Sequence, residues 1–187
     1  MTATDRRAEP DGHPAPARPS RWRYVLVPVV LLFAAFWIWA LFFASKEAVN
    51  RIDDRQWAAR AEGICAEAET ARLELADYRR VDGDDPAMLA ERGDVIDRAT
   101  DIVEQMLDDV VAVAPGDAKG QAIVPRWEAD YRTYLADRRR FADDLRAGRD
   151  EPFRETALEG IPIGEKIATF AGDNEMPSCS PPDDLST

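Results

Sequence analysis

The chain has 187 residues and a formal net charge of −12. That charge is divided: up to residue 45 five arginines face three carboxylates, and beyond it 19 basic side chains face 33 acidic ones, a net −14. The acidic part argues against nucleic acid as a partner, because phosphate backbones select clustered Lys and Arg, and against that part lying on anionic lipid.

Residues 1–21 contain Pro10, Pro14, Pro16 and Pro19 and show no apolar periodicity. They read as a disordered tail, and they hold the only histidine, His13. Residues 22–45 read as a transmembrane signal-anchor helix. Its heart, Val25–Ala44, is twenty residues without a charge. At about 1.5 Å per residue such a helix spans about 30 Å, the hydrocarbon thickness of a bilayer. Trp22 and Tyr24 stand at one end, and Trp37 and Trp39 toward the other, where amphipathic rings favour the interface. Pro28 lies near the first turn, where few backbone bonds are lost.

Arg18, Arg21 and Arg23 precede the span, whereas Lys46, Arg51 and Arg55 after it are interleaved with Glu47, Asp53 and Asp54. This asymmetry predicts a cytoplasmic N-terminus and an extracytoplasmic remainder at the cell membrane. A cleaved signal peptide needs small residues at −3 and −1, but Phe42 stands two before Ala44, so the anchor is expected to persist. Ala40 and Ala44 form a small-xxx-small pair that suits self-association of spans.

Residues 46–179 are expected to form an up-down four-helix bundle, which makes the protein all-α. The first helix carries a stripe at Trp57, Ala61, Ile64, Ala68, Ala71, Leu75 and Tyr78. Whether the span runs straight into it or breaks near Asn50 is open. Val81–Pro86 is a break, with Asp85 placed as N-cap and Pro86 as N1 of a second helix reaching about Ala114. Asp117–Val124 reads as a loop or a first helical turn. From Pro125 a third helix carries Trp127, Tyr131, Tyr134, Leu135, Phe141 and Leu145 and stops at Gly148. Arg138, Arg139 and Arg140 within it are expected to pair with Asp137, Asp143 and Asp144. A fourth helix is predicted from Asp150–Pro152, kinked or split at Pro162 and ending near Gly172. Residues 180–187 read as a disordered polar tail.

Cys65 and Cys179 both fall on the expected outer side, where disulfides persist, so a bridge between them is expected; two unrelated thiols are the alternative. The bridge would tie the first helix to the segment after the fourth.

The segment Trp57–Glu69, with Ile64, Cys65 and Ala68, resembles the opening helix of a broad set of exported helical proteins of high-GC Gram-positive bacteria. The Val113–Asp117 turn, the Arg146-Ala147-Gly148 stop and the stretch from Ile167 to Cys179 extend that resemblance over about residues 55–180. Pro162 and the long spacer from Gly172 to Cys179 depart from it. The resemblance implies the architecture and carries no activity.

No catalytic constellation is present. The part beyond the span has no histidine, which excludes Ser-His-Asp and Cys-His arrangements and histidine-based metal sites. No phosphate loop or zinc spacing occurs. Asp82, Asp84 and Asp85 are the densest carboxylate cluster and the candidate for a cation site. A calcium loop would need a bidentate carboxylate twelve positions along, where Gly93 stands, so a turn and helix cap is the preferred reading. Trp57, Trp127, Tyr131 and Tyr134 are candidates for a ligand pocket or for core. No catalytic or cofactor residue is assigned. The expected function is interaction, scaffolding or sensing in the envelope, with another envelope protein or a second copy as partner. The alternative is a small-ligand or cation-binding module.

Overall fold

The protein is described by a computed structural model over residues 22–42, 48–75 and 83–184. The chain divides into two compact units, Met1–Lys46 and Glu47–Thr187. In the first, α1 is Trp22–Phe42 with Pro28 inside it, and its apolar side chains from Tyr24 to Trp39 are exposed. Phe33 and Phe36 each meet Trp37 edge to face. Tyr24–Phe42 is long and apolar enough to cross a membrane. The expected tail, residues 1–21, and the junction at 43–47 lie outside the described residues.

The second unit is mainly helical: α2 is Arg55–Leu73, α3 Pro86–Val111, α4 Ala118–Arg146 and α5 Ile163–Asp173. A small hairpin pairs β1 (Ala157–Leu158) with β2 (Ile161–Pro162), and a 3-10 turn spans Pro177–Cys179. Residues 48–54 are non-helical, so the Trp57 stripe starts a new helix. The start of α2 is built by Asp54, whose carboxylate accepts from the Gln56 and Trp57 amides at 3.1 and 2.9 Å. The same carboxylate accepts from the Gly116 amide at 2.8 Å, while Asp117 accepts from the Asp54 and Gly120 amides. Two N-caps thus tie the start of α2 to the α3–α4 turn.

Trp57 Nε1 and the Arg60 guanidinium donate to the Val113 carbonyl at 2.7 and 3.0 Å. Arg60 also reaches the Val110 carbonyl, so a cation sits on the carbonyl end of α3, where the helix dipole favours it. Asp85 caps α3 by accepting from Ala87 and Met88, with Pro86 at N1.

The α3–α4 pair is the most extensive packing in the unit. Val103, Leu107 and Val110 pack in one core with Trp127, Tyr131 and Leu135, and Leu89 and Ile96 with Phe141, Ala142 and Leu145 in a second. A charged ladder borders them. Arg132 meets Asp108 at 2.7 Å, Arg139 meets Asp101 and Glu104 at 2.9 and 2.5 Å, and Arg146 meets Asp94 at 2.9 Å and also Asp97. The arginines are seven apart, and later ones meet earlier carboxylates, so α3 and α4 run antiparallel in one register. At Gly93 the two helices approach closely: a Cβ there would lie 2.8 Å from the Ala142 carbonyl oxygen.

Of the two readings of Asp117–Val124 the helical one holds, and the expected fourth helix is corrected. Helix α4 starts at Ala118 and carries Pro125 inside it, because Asp117 caps the first turn and Val124 and Trp127 are buried on either side of the proline. Residues 150–156 are not helical, and α5 begins only at Ile163. Asp137 captures the Thr156 amide at 2.5 Å and its hydroxyl at 3.1 Å, which holds this stretch extended. Glu159 and Gly160 then both take positive φ, 54° and 82°, as a two-residue hairpin turn requires. Pro162, lacking a donor, closes β2 and becomes the N-cap position of α5. Among the described residues the fold is mainly helical, as expected, with one short two-stranded hairpin added to the helices.

The segment before α2 is bound to the end of α5. Buried Asn174 accepts from the Ile52 amide at 2.8 Å and donates to the Asn50 carbonyl at 3.0 Å. Arg51 and Arg55 both pair with Glu175 at 3.0 Å. The Cys65 and Cys179 sulfurs are bonded, with Cα atoms 5.1 Å apart across 114 positions of sequence.

Candidate functional site

The most unusual chemistry lies on one face of α4. The apolar stripe Tyr131, Tyr134, Arg138, Phe141, Leu145 repeats at three- and four-residue steps, and its third member is an arginine. Arg138 is 0% exposed. A charge taken this far from water needs a partner and satisfied donors. Arg138 Nε donates to Thr100 Oγ1 of α3 at 3.0 Å, and the two terminal nitrogens donate to both oxygens of Asp184 at 2.6 and 3.0 Å. The guanidinium carbon lies 6.0 Å from the Tyr134 ring centre. Arg72 of α2 approaches the same carboxylate at 3.5 Å.

Asp184 belongs to Ser180–Asp184, which follows the disulfide-bonded Cys179 and lies on α4 as a strap. Tyr131 Oη donates to the Ser180 carbonyl at 3.2 Å and Tyr134 Oη to the Pro182 carbonyl at 2.9 Å. These residues were expected as part of a disordered tail. They are held because two buried phenols and one buried guanidinium need acceptors, and the strap supplies all three. Residues 185–187 lie outside the described residues.

The electrostatics follow from the geometry. Burial disfavours ionised Asp184, but the hydrogen bonds and charge of Arg138, with Arg72, outweigh it and hold the carboxyl below its ordinary value. Burial likewise opposes the charge on Arg138, and Asp184 overrides it, raising the guanidinium pKa further. Burial pushes both the Tyr131 and the Tyr134 phenols up.

Beside the strap is an open cleft of about 550 Å³ between α4, α5 and residues 152–155. Tyr134, Phe153, Pro181 and Pro182 supply apolar walls, and Glu155 and Glu165 supply charge. Glu155 accepts from the Gly164 amide at 2.5 Å and so serves the first turn of α5.

The candidates from sequence are distributed as follows. Trp57, Trp127 and Tyr131 are core residues; Tyr134 borders both the core and the cleft. Asp85 uses its carboxylate as an N-cap, and Asp82 lies outside the described residues. Asp84 is not brought into a ligand set: among the described residues no group of three or more His, Cys, Asp or Glu is placed to hold a metal ion. The three adjacent arginines separate. Arg140 pairs with Asp137 as expected of neighbours on one helix, Arg139 crosses to α3, and Arg138 points inward to Asp184. Sequence reading missed Arg138, Thr100, Arg72 and Asp184. The signal was present in the position of Arg138 on the Tyr131–Leu145 stripe, which places a charge in the core and so demands a carboxylate.

No family model matches the chain, nor does any curated protein or solved structure.

Proposed function

We propose that the chain is a single-pass membrane protein anchored through residues 25–44, with a cytoplasmic N-terminus and an extracytoplasmic acidic domain built as an up-down four-helix bundle. In this reading the domain is an interaction, scaffolding or sensing module of the envelope, without catalysis, related to the exported helical proteins it resembles. The observation that carries the reading is an apolar span-length helix that precedes, in sequence, a domain closed by a disulfide, since bridges of this kind persist in oxidising compartments. The antiparallel α3–α4 register and the bridge from α2 to the end of the fold support the bundle arrangement.

In-cell crosslinking followed by mass spectrometry tests the role. A reproducible protein partner, or a crosslinked second copy, is the expected result; a monomer with no crosslinked protein contradicts it. The cleft with its aromatic and prolyl walls favours a second reading, a small-ligand or cation-binding module. A small molecule co-purifying with a monomer, seen by native mass spectrometry, would select that reading instead.

A further inference from the structure

The strap on α4 has the geometry of a bound peptide. Ser180 has φ −68° and ψ 154°, within the polyproline range, and Pro181 and Pro182, whose rings hold φ at about −65°, follow it outside any helix or strand. Three α4 side chains meet it in order: Tyr131 at the Ser180 carbonyl, Tyr134 at the Pro182 carbonyl and Arg138 at the Asp184 carboxylate. Seven helical residues rise about 10 Å, a length that four to five extended residues can follow. Two of the contacts address backbone carbonyls and one a carboxylate, gripped bidentately by a guanidinium whose Nε–H is fixed on Thr100. A helix offering hydroxyl, hydroxyl and guanidinium in register has the contacts to hold an extended, proline-containing segment with an acid two residues after its second proline.

We infer that this face of α4 is a receptor for acidic, proline-containing peptide segments, closed at rest by the chain's own residues 180–184, and that a partner protein presenting such a segment docks by displacing them. The inference rests on the interaction reading above and names the chemistry of its partner. The occupant already seated shows that chemistry: charge complementarity at Arg138 and prolyl rings beside Tyr134. The disulfide at Cys179 fixes the start of the strap, so its effective concentration at the groove is high and the closed form dominates.

The test uses the full chain in detergent micelles and a fluorescent, end-blocked peptide of sequence Ser-Pro-Pro-Asp-Asp, followed by anisotropy. A Pro182→Gly, Asp184→Asn variant opens the strap and leaves the three α4 side chains, Tyr131, Tyr134 and Arg138, unchanged. It should bind the peptide saturably and at least tenfold more tightly than the unsubstituted chain. A peptide with Asn at its last position should bind the opened variant at least tenfold more weakly. Asp184→Asn alone, which keeps both prolines, is the second variant should the first fail to fold, and should bind with intermediate affinity. No saturable binding to a variant whose circular dichroism and disulfide are intact overturns the inference. So does equal binding of the two peptides, or equal binding to opened and unsubstituted chains. A crosslinked envelope partner that persists when peptide binding fails removes this groove and leaves the interaction reading standing.

Discussion

Arg138 shows how one side chain sets the behaviour of its neighbours. Its guanidinium is buried, so the loss of its carboxylate costs more than an ordinary surface pair, whose worth is about 0–1 kcal/mol. Asp184→Asn should destabilise the domain by about 2–3 kcal/mol, the scale of hydrogen bonds to a charged group. Arg138→Met should cost less, because an apolar chain of similar volume needs no partner and Asp184, 28% exposed, can turn to water. Urea denaturation of both variants checks the order. The pH dependence has two edges. Asp184, Asp54 and Asp117 have carboxyl pKa values below the ordinary 3.8, so their contribution is complete above that value and is lost as pH falls through the lower folded values. Tyr131 and Tyr134 lie above the ordinary 10.0, so their contribution is complete below pH 10 and is lost as pH rises beyond it. Urea midpoints measured from pH 2 to 11 should be flat across neutrality and fall at both ends; a fall between pH 5 and 8 contradicts this assignment.

At the scale of the element, two glycines inside helices should respond in opposite ways. Gly63 in α2 has open space where a Cβ would stand, so Gly63→Ala should stabilise by up to about 1 kcal/mol through helix propensity alone. Gly93 in α3 has the Ala142 carbonyl oxygen 2.8 Å from that position, so the crowding, about 1–3 kcal/mol, should outweigh the same gain. Thermal melts of the two variants should move in opposite directions. Helix starts were legible where a short-range cap encodes them, as at Asp85-Pro86. The region 150–162 was misread because its apolar spacing suits a helix. What decides it is a long-range capture, Asp137 on Thr156, together with positive φ at Glu159, a residue type that does not advertise it. The α3–α4 ladder was equally hidden: the arginines at 132, 139 and 146 have their heptad spacing in the sequence, but their partners lie a helix away.

For the whole molecule, the apolar span and the cysteine pair carry most of what sequence alone supports, because each is a strong physical signal in few residues. The strap was illegible for the opposite reason. Ser180–Asp184 has the composition of a loose tail, and only the unsatisfied groups on α4 give it a place. The Cys65–Cys179 bridge spans 114 positions, and replacing both cysteines by alanine should cost about 2–5 kcal/mol and loosen the strap along with the fold. Guanidinium denaturation of the double variant measures the first effect; faster amide exchange at Asp183 and Asp184 reports the second.

The account depends above all on the acidic domain lying outside the cell membrane. The lysines of the chain are Lys46, Lys119 and Lys166, all beyond the span, and Lys119 is exposed at the start of α4. A membrane-impermeant amine reagent applied to intact cells, followed by peptide mass spectrometry, therefore reads the topology directly. The account predicts modification of Lys119 in intact cells, equal to that after permeabilisation. Modification only after permeabilisation would place the domain on the cytoplasmic side and contradict it.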